Sequence, residues 1–229
     1  IQRVLETLRV ELFASAGFDP ISTQRTFTLI TPDVGEVCLV PLIRSRLAAQ
    51  APGAKLRVYS RPPLATASAL ESGEADLALG YFPDLHKDGF YQQRLANVPV
   101  VGLVRIGHPH IGDSIDMAQF ISASHVVVRP DGRGEEVLRF PSGVKPWVAV
   151  EVAHFMSALP IVESSDLLVA VPQDMAALCT RYAQVRPVEL PKESFFPIPV
   201  HQFWHARFHR DPAHIWMRTL VKTLYDQDQ

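Results

Sequence analysis

An excess of basic residues, a cysteine framework and a long apolar run are all missing from this chain of 229 residues. The 22 Lys and Arg stand against 24 Asp and Glu, a formal net charge of −2, so there is no broad cationic field to hold a phosphate backbone. The chain is not expected to grip DNA by itself. The two cysteines, Cys38 and Cys179, make neither a disulfide framework nor a CxxC metal or redox pair, and no secretory h-region opens the sequence, which points to a reducing cytoplasm. No membrane partner is expected. GxSxG, GxGxxG and Walker A patterns are also missing, so acyl transfer and nucleotide chemistry have no motif to rest on. The chain reads as a non-enzyme without cofactor or metal.

What is present suffices for a sizeable core. Hydrophobic residues make up 47% and charged residues 20% of the chain, against about 25% charged in an average soluble domain. At about 150 residues per domain the length allows one domain or two lobes. The sequence begins at Ile1, not Met, and enters a helical pattern at once, with Val4, Leu5, Leu8, Leu12 and Phe13 at three- and four-residue steps before Gly17. The expectation is a fragment of a longer protein. Its first helix either lies on the same domain or ends a connector.

From residue 25 onward the pattern alternates. A β-rich run at 25–30 is followed by a helix over 31–50, with Pro32 in its first turn and Asp33 and Glu36 at capping-box spacing. Strands at 55–60 and 75–80 flank a helix that Pro62 and Pro63 open and Ser72-Gly73 ends. This β-α-β-α-β order implies a parallel sheet. Strands at 89–95 and 99–105 lead to a turn-rich passage, where the chain crosses to a second α/β lobe. There a helix at 117–121, strands at 125–129 and 147–152, a helix at 154–163, a strand at 167–171 and a helix from Pro172 follow. A Gly-rich connection, Asp131-Gly132-Arg133-Gly134, interrupts the series. A long strand over 198–208 and a helix over 215–225, with Ile215, Leu220, Val221 and Leu224 on its apolar side, complete the chain.

His201, His205 and His209 have the step that puts imidazoles on one helix face, but the alternating Ile198, Val200, Trp204, Ala206 and Phe208 make the segment a strand. Strand residues four apart lie roughly 13 Å from each other and cannot share an ion. Cys38 sits inside an apolar helix and reads as a packed, inert thiol. What remains is architectural: two α/β lobes leave a crevice at the carboxyl ends of their strands, where helix amino termini point free N–H groups at a ligand. Thr31-Pro32-Asp33-Val34 and Ala153-His154-Phe155 stand at such junctions. His154 is either a ligand donor or a helix cap, Phe155 either an aromatic wall or core, and Arg129 either an anion partner or a surface charge.

Several stretches together resemble the effector-binding domain of a LysR-type transcriptional regulator. They are Phe27-Thr28-Leu29, Val40-Pro41, Ala51-Pro52 before Lys55-Leu56, the run from Leu70-Glu71-Ser72-Gly73 to Leu79-Gly80, and Asp166-Leu167-Leu168-Val169-Ala170-Val171-Pro172. Phe203-Trp204-His205-Ala206-Arg207 and Arg210-Asp211-Pro212 resemble more particularly the members of aromatic-compound catabolism that answer to salicylate, nitroaromatics or chlorinated phenols. The resemblance implies an α/β, two-lobed type-2 periplasmic-binding-protein-like fold with two crossing hinge strands, near 98–105 and 200–208. Lobe I would comprise 18–97 plus 209–229, lobe II 98–208, and 1–17 would end a dimerising linker helix. A winged helix-turn-helix domain would precede the chain. Partners would be a small aromatic effector, further copies in a homodimer or homotetramer, DNA through the preceding domain, and RNA polymerase.

By the same resemblance the cleft residues fall on Thr23, Pro32, Leu39 and His154, with Thr31, Val34, Phe155 and Phe203 as neighbours. The salicylate-responsive members carry a threonine where Pro32 stands and an aromatic where Leu39 stands. Pro32 offers neither hydroxyl nor N–H, so a carboxylate would lose a donor worth about 1–2 kcal/mol. A hydrophobic phenol, chlorinated or not, held by His154 is the favoured effector. The alternatives are a transport solute-binding protein of the same fold and a small hydrolase or isomerase using Cys38 or His154.

Overall fold

Phe27 and Leu29 alternate with Thr28 and Ile30 in a run of β-formers, and the run forms strand β1 (Thr26–Ile30) with nearly every residue buried. The computed structural model describes residues 17–129, 146–191 and 195–226. The helix expected over 1–16 and the connection Asp131-Gly132-Arg133-Gly134 lie outside the described residues. Strand β1 pairs in parallel with β2 (Lys55–Tyr59) and β3 (Leu77–Gly80). Two antiparallel strands, β10 (Ile198–His205) and β4 (Phe90–Val98), complete a sheet of order β2-β1-β3-β10-β4.

Each face of this sheet is covered. Phe27, Leu29, Leu77, Leu79 and Trp204 pack on helix α2 (Val40–Gln50), through Ile43 and Leu47, and on α7 (Pro212–Asp226), through Met217, Leu220 and Val221. Ile30, Ala78 and Phe203 meet Leu70 of α3 (Pro63–Ser72) together with Phe82. Gly73 ends α3 at φ 82°, a left-handed conformation that costs glycine least. The bend delivers Asp76, whose carboxylate accepts the Thr28 N–H at 2.7 Å.

The second sheet has the order β7-β6-β8-β5-β9, from β5 (Val100–Arg105), β6 (Ser124–Val128), β7 (Trp147–Val152), β8 (Leu168–Pro172) and β9 (Val185–Val188). Helices α5 (Phe155–Glu163) and α6 (Gln173–Cys179) cover one face through Phe155, Val162 and Met175, and α4 (Met117–Ser122) covers the other through Phe120. Helix α4 carries a full capping box between Asp116 and Gln119.

Several expectations need correction. The single helix over 31–50 is two, α1 (Asp33–Cys38) and α2, broken at Leu39. Pro41 has no N–H to continue the ladder and crowds the carbonyl four residues earlier. Pro32 is itself the N-cap of α1 and no side chain caps that helix, so the capping box between Asp33 and Glu36 does not form. The last long strand stops at His205, and Ala206–Phe208 is a 3₁₀ turn. All of β10 belongs to the first sheet, so the chain returns from the second sheet before Ile198 and not along 200–208. Strand β9 was not expected. Ile215 is exposed, because α7 buries His214 and Arg218 on the face it turns to the sheet.

Candidate functional site

The site is built at the carboxyl ends of β1, β3 and β8, where the chain leaves each strand. After Ile30, the buried Thr31 donates its N–H to the Tyr59 carbonyl at 3.2 Å, and Pro32 then turns the chain into α1. Gly35 makes this corner possible: a Cβ there would stand 1.9 Å from the Thr31 Oγ1. Leu39, at the break between the helices, points back beside Thr31 into the same space.

Helix α1 faces the other lobe. Val34 and Cys38, one helical turn apart, pack against the second lobe's apolar cluster, and Cys38 Sγ lies 4.0 Å from Met175 Sδ of α6. The Asp33 carboxylate crosses the gap as well: its Oδ2 accepts the Met156 N–H in the first turn of α5 at 3.3 Å. Its Oδ1 is buried and accepts no hydrogen bond.

Between the lobes these elements enclose a cavity of about 100 Å³. Lobe I supplies Thr31, Pro32, Val34, Gly35, Cys38 and Leu39, then Leu79, Gly80 and Tyr81 at the end of β3, and Tyr225 from the last turn of α7. Phe155, Pro172 and Asp174 come from lobe II. Val98, Ile198 and Val200 form the floor, and Val98 pairs with Ile198 where the two crossing segments run side by side. An open groove of about 890 Å³, with Leu42, Asn97, Arg181 and Tyr182 on its walls, lies behind. Cys38, Leu39, Val98, Asp174 and Tyr225 line both spaces and form the partition.

The partition carries negative charge at Asp174. Burial first, and then Asp174, Cys179 and Asp33, push the Cys38 thiol up to about 12. Burial and the same Asp174 raise the Tyr225 hydroxyl well above its ordinary value. Cys38 is thus held as the neutral thiol at neutral pH.

Of the effector-contact residues expected from the sequence, Thr31, Pro32, Val34, Leu39 and Phe155 line the cavity and Thr23, Arg129, His154 and Phe203 do not. Thr23 precedes β1, at the end of the strand away from the cavity, where its Oγ1 accepts the Arg25 N–H at 3.2 Å. Arg129 is engaged within its own sheet, 3.1 Å from Glu151. His154 is the exposed N-cap residue of α5, and its side chain makes no capping bond. Phe203 lies wholly buried on the α3 face of β10, its ring 6.0 Å from Phe82 and 5.5 Å from His86. Alternation along the strand carries Val200 to the cavity and Phe203 away from it.

Sequence reasoning missed Gly80, Tyr81, Pro172 and Asp174, although the carboxyl-end rule that selected Thr31 applies equally to β3 and β8. Val98 and Ile198 follow from the crossing strands once their positions are known. Tyr225 has no local signal, since only the docking of α7 brings it there.

A family model described as the LysR substrate binding domain matches residues 22–226. The HTH-type transcriptional activator NahR of Pseudomonas putida is 34% identical over 232 residues, covering 98% of this chain and 75% of that protein. Among solved structures, a probable transcriptional regulator from Pseudomonas aeruginosa superposes with TM-score 0.81 at 27% identity, over 96% of this chain and 73% of that one. The BenM effector-binding domain with its effector benzoate superposes with TM-score 0.68 at 16% identity, over 90% of this chain and 95% of that one, a likeness of fold. These relatives are transcriptional regulators, not enzymes, and the transport alternative is not favoured. Matched over nearly all its described length and built on the same two-lobed, periplasmic-binding-protein-like fold, the chain belongs to the LysR substrate-binding domain family, the effector-binding part of LysR-type transcriptional regulators.

Proposed function

We propose that a small aromatic effector binds in the interlobe cavity and, through a difference in affinity for two lobe arrangements, controls the activity of a transcriptional activator of aromatic catabolism. The observation that carries this reading is the cavity itself: of the order of the space one ring requires, apolar, and walled by both lobes and both crossing segments. The relatives' names support the regulatory half, and benzoate, the effector of BenM, supports the aromatic half. Thr31, Pro32, Val34, Leu39 and Phe155 are the contacts expected from the sequence that the cavity retains.

In the whole protein a winged helix-turn-helix domain precedes these lobes and binds DNA, the chain pairs into dimers or tetramers, and the assembly meets RNA polymerase in the cytoplasm. The chain spans about three quarters of its HTH-type relative, which leaves room for that domain. Among the described residues no helix is long and apolar enough to cross a membrane. Calorimetric titration of the chain with single-ring aromatics tests the reading. Saturable binding is expected, abolished in Val34→Trp, which fills the cavity, and retained in His154→Ala. Binding by Val34→Trp at the original affinity would place the effector elsewhere.

A further inference from the structure

Five residues, Cys38, Leu39, Val98, Asp174 and Tyr225, stand between a cavity of about 100 Å³ and a groove of about 890 Å³. Four of them are fixed by other parts of the fold. Val98 belongs to β4 and is paired with Ile198. Cys38 packs on Met175 of the opposite lobe, and Leu39 is buried in the lobe I core at the joint between α1 and α2. Asp174 stands exposed in the first turn of α6. Tyr225 differs from these: it has the largest side chain of the five, is half-buried, and comes from the last turn of α7, one residue before that helix ends. Burial is the main reason that its hydroxyl is raised well above the ordinary value, which sets the phenol end as well as the ring within the partition.

The two spaces differ in what they can take. An apolar cavity of about 150 Å³ admits benzene, so the smaller space here has room for one six-membered ring and none for a second ring fused to it. The groove has the volume, and much of its wall is apolar: Pro41 and Leu42 from lobe I, Ala177 and Leu178 from lobe II, and Leu224 beside Tyr225. Taking away the Tyr225 side chain joins the spaces while leaving the crossing segments and the joint at Leu39 in place.

We propose that Tyr225 sets the size limit of the site: with its ring in place the cavity selects single-ring aromatics, and without it cavity and groove become one site that accepts fused two-ring aromatics. The proposal rests on the reading of this cavity as the effector site and adds the residue that decides the size of its occupant. The exclusion is steric and belongs to the ring of Tyr225, not to its hydroxyl. Once the ring is gone, the second ring of a ligand extends towards Leu178 and Leu224 and takes their apolar surface out of water.

Calorimetric titration of the 229-residue chain at neutral pH with phenol and with 2-naphthol decides the matter, since hydroxyls of this kind ionise at about pH 10 and both ligands stay uncharged. The original chain should bind phenol at least about tenfold more tightly than 2-naphthol, because even one methylene too many for a pocket is worth about tenfold or more. In Tyr225→Ala the affinity for 2-naphthol should rise by at least about tenfold, closing or reversing that ratio. Tyr225→Phe, which keeps the ring, should keep the exclusion of 2-naphthol. Tyr225→Leu keeps an apolar side chain for the fold and removes the outer half of the ring, so it serves where the Ala variant does not unfold cooperatively, and it should shift the ratio in the same direction. 2-Naphthol binding the original chain as tightly as phenol or more tightly, or an unchanged ratio in the folded Ala or Leu variant, overturns the role of Tyr225 and leaves the aromatic site standing. Absence of binding by both ligands to the original chain overturns the effector-site reading together with it.

Discussion

The amino end of the first sheet and the interlobe cavity treat charge in opposite ways. At the amino end, Asp76 gathers three partners: Arg25 Nη2 at 2.8 Å, the buried His214 Nε2 at 2.9 Å, and the Thr28 N–H. Arg25 also reaches Asp211, which caps the turn into α7 by accepting the His214 N–H. At the cavity, Asp174 of lobe II is the one charged side chain of the described lining, and it also lines the groove that holds Arg181. A carboxylate surrounded by donors ties helix, strand and loop together. The two acids also belong to different sheets: Asp76 precedes β3 of the first, whereas Asp174 follows β8 of the second.

The sharpest way to break the contrast is Asp76→Ala. Removing one member of a buried charged network strands the others, and a loss of about 3–5 kcal/mol is expected, measured as a fall in the urea midpoint. Burial pushes the Asp76 carboxyl upward, but His214, the Thr28 N–H and Arg25 together outweigh it and hold it below its ordinary 3.8. A depressed carboxylate stabilises the fold above its unfolded value, so stability should fall as the pH drops from near 4 through the lowered folded value. The Ala variant should lack that part of the acid dependence. An unchanged pH profile would show that the network is not what the acid limb reports.

Gly35→Ala probes the other end. A Cβ at 1.9 Å from the Thr31 Oγ1 forces the hydroxyl out of its rotamer, with a cost of about 1–3 kcal/mol. Because Thr31 and Gly35 both line the cavity, aromatic binding should weaken as well. A variant as stable as the original, binding as well, would mean that the corner at Thr31 has slack. The smallest effect concerns Cys38. With its thiol raised to about 12, alkylation by iodoacetamide at pH 7.5 should be much slower in the native chain than in urea, followed by mass spectrometry. Equal rates would show that the fold does not protect the Cys38 thiol.

Much of the first lobe was legible because β1 to β3 are short runs of β-formers or apolar residues and its helix ends carry Pro or Gly. Val185–Val188 was not, because Pro187 argues against a strand; it is tolerated here since β9 is the edge of its sheet, paired with β5 alone. Hydrophobicity placed Ile215 inward, while the structure buries His214 and Arg218. Both polar side chains have local compensation: His214 lies against Asp76 and stacks on Phe208 at 4.7 Å, and Arg218 donates to the His209 carbonyl at 2.9 Å and lies over the Trp204 ring. Pattern alone cannot see a partner distant in sequence. The same limit explains the site: residues at strand ends could be found by rule, but His154 and Phe203 needed the direction of a side chain to be set aside, and Tyr225 needed the docking of a whole helix to be found.

The break at Leu39 has a consequence for how the halves communicate. Had the chain continued as one helix from Asp33 to Gln50, it would have been a rigid part of lobe I, moving only with that lobe. Divided, it leaves α1 as a short piece with two allegiances: joined by its ends to lobe I through Thr31 and Leu39, yet resting its Val34–Cys38 side on lobe II and clasping α5 through Asp33. Both joints are cavity wall. Whatever occupies the space therefore touches both attachment points of a six-residue segment that bridges the halves.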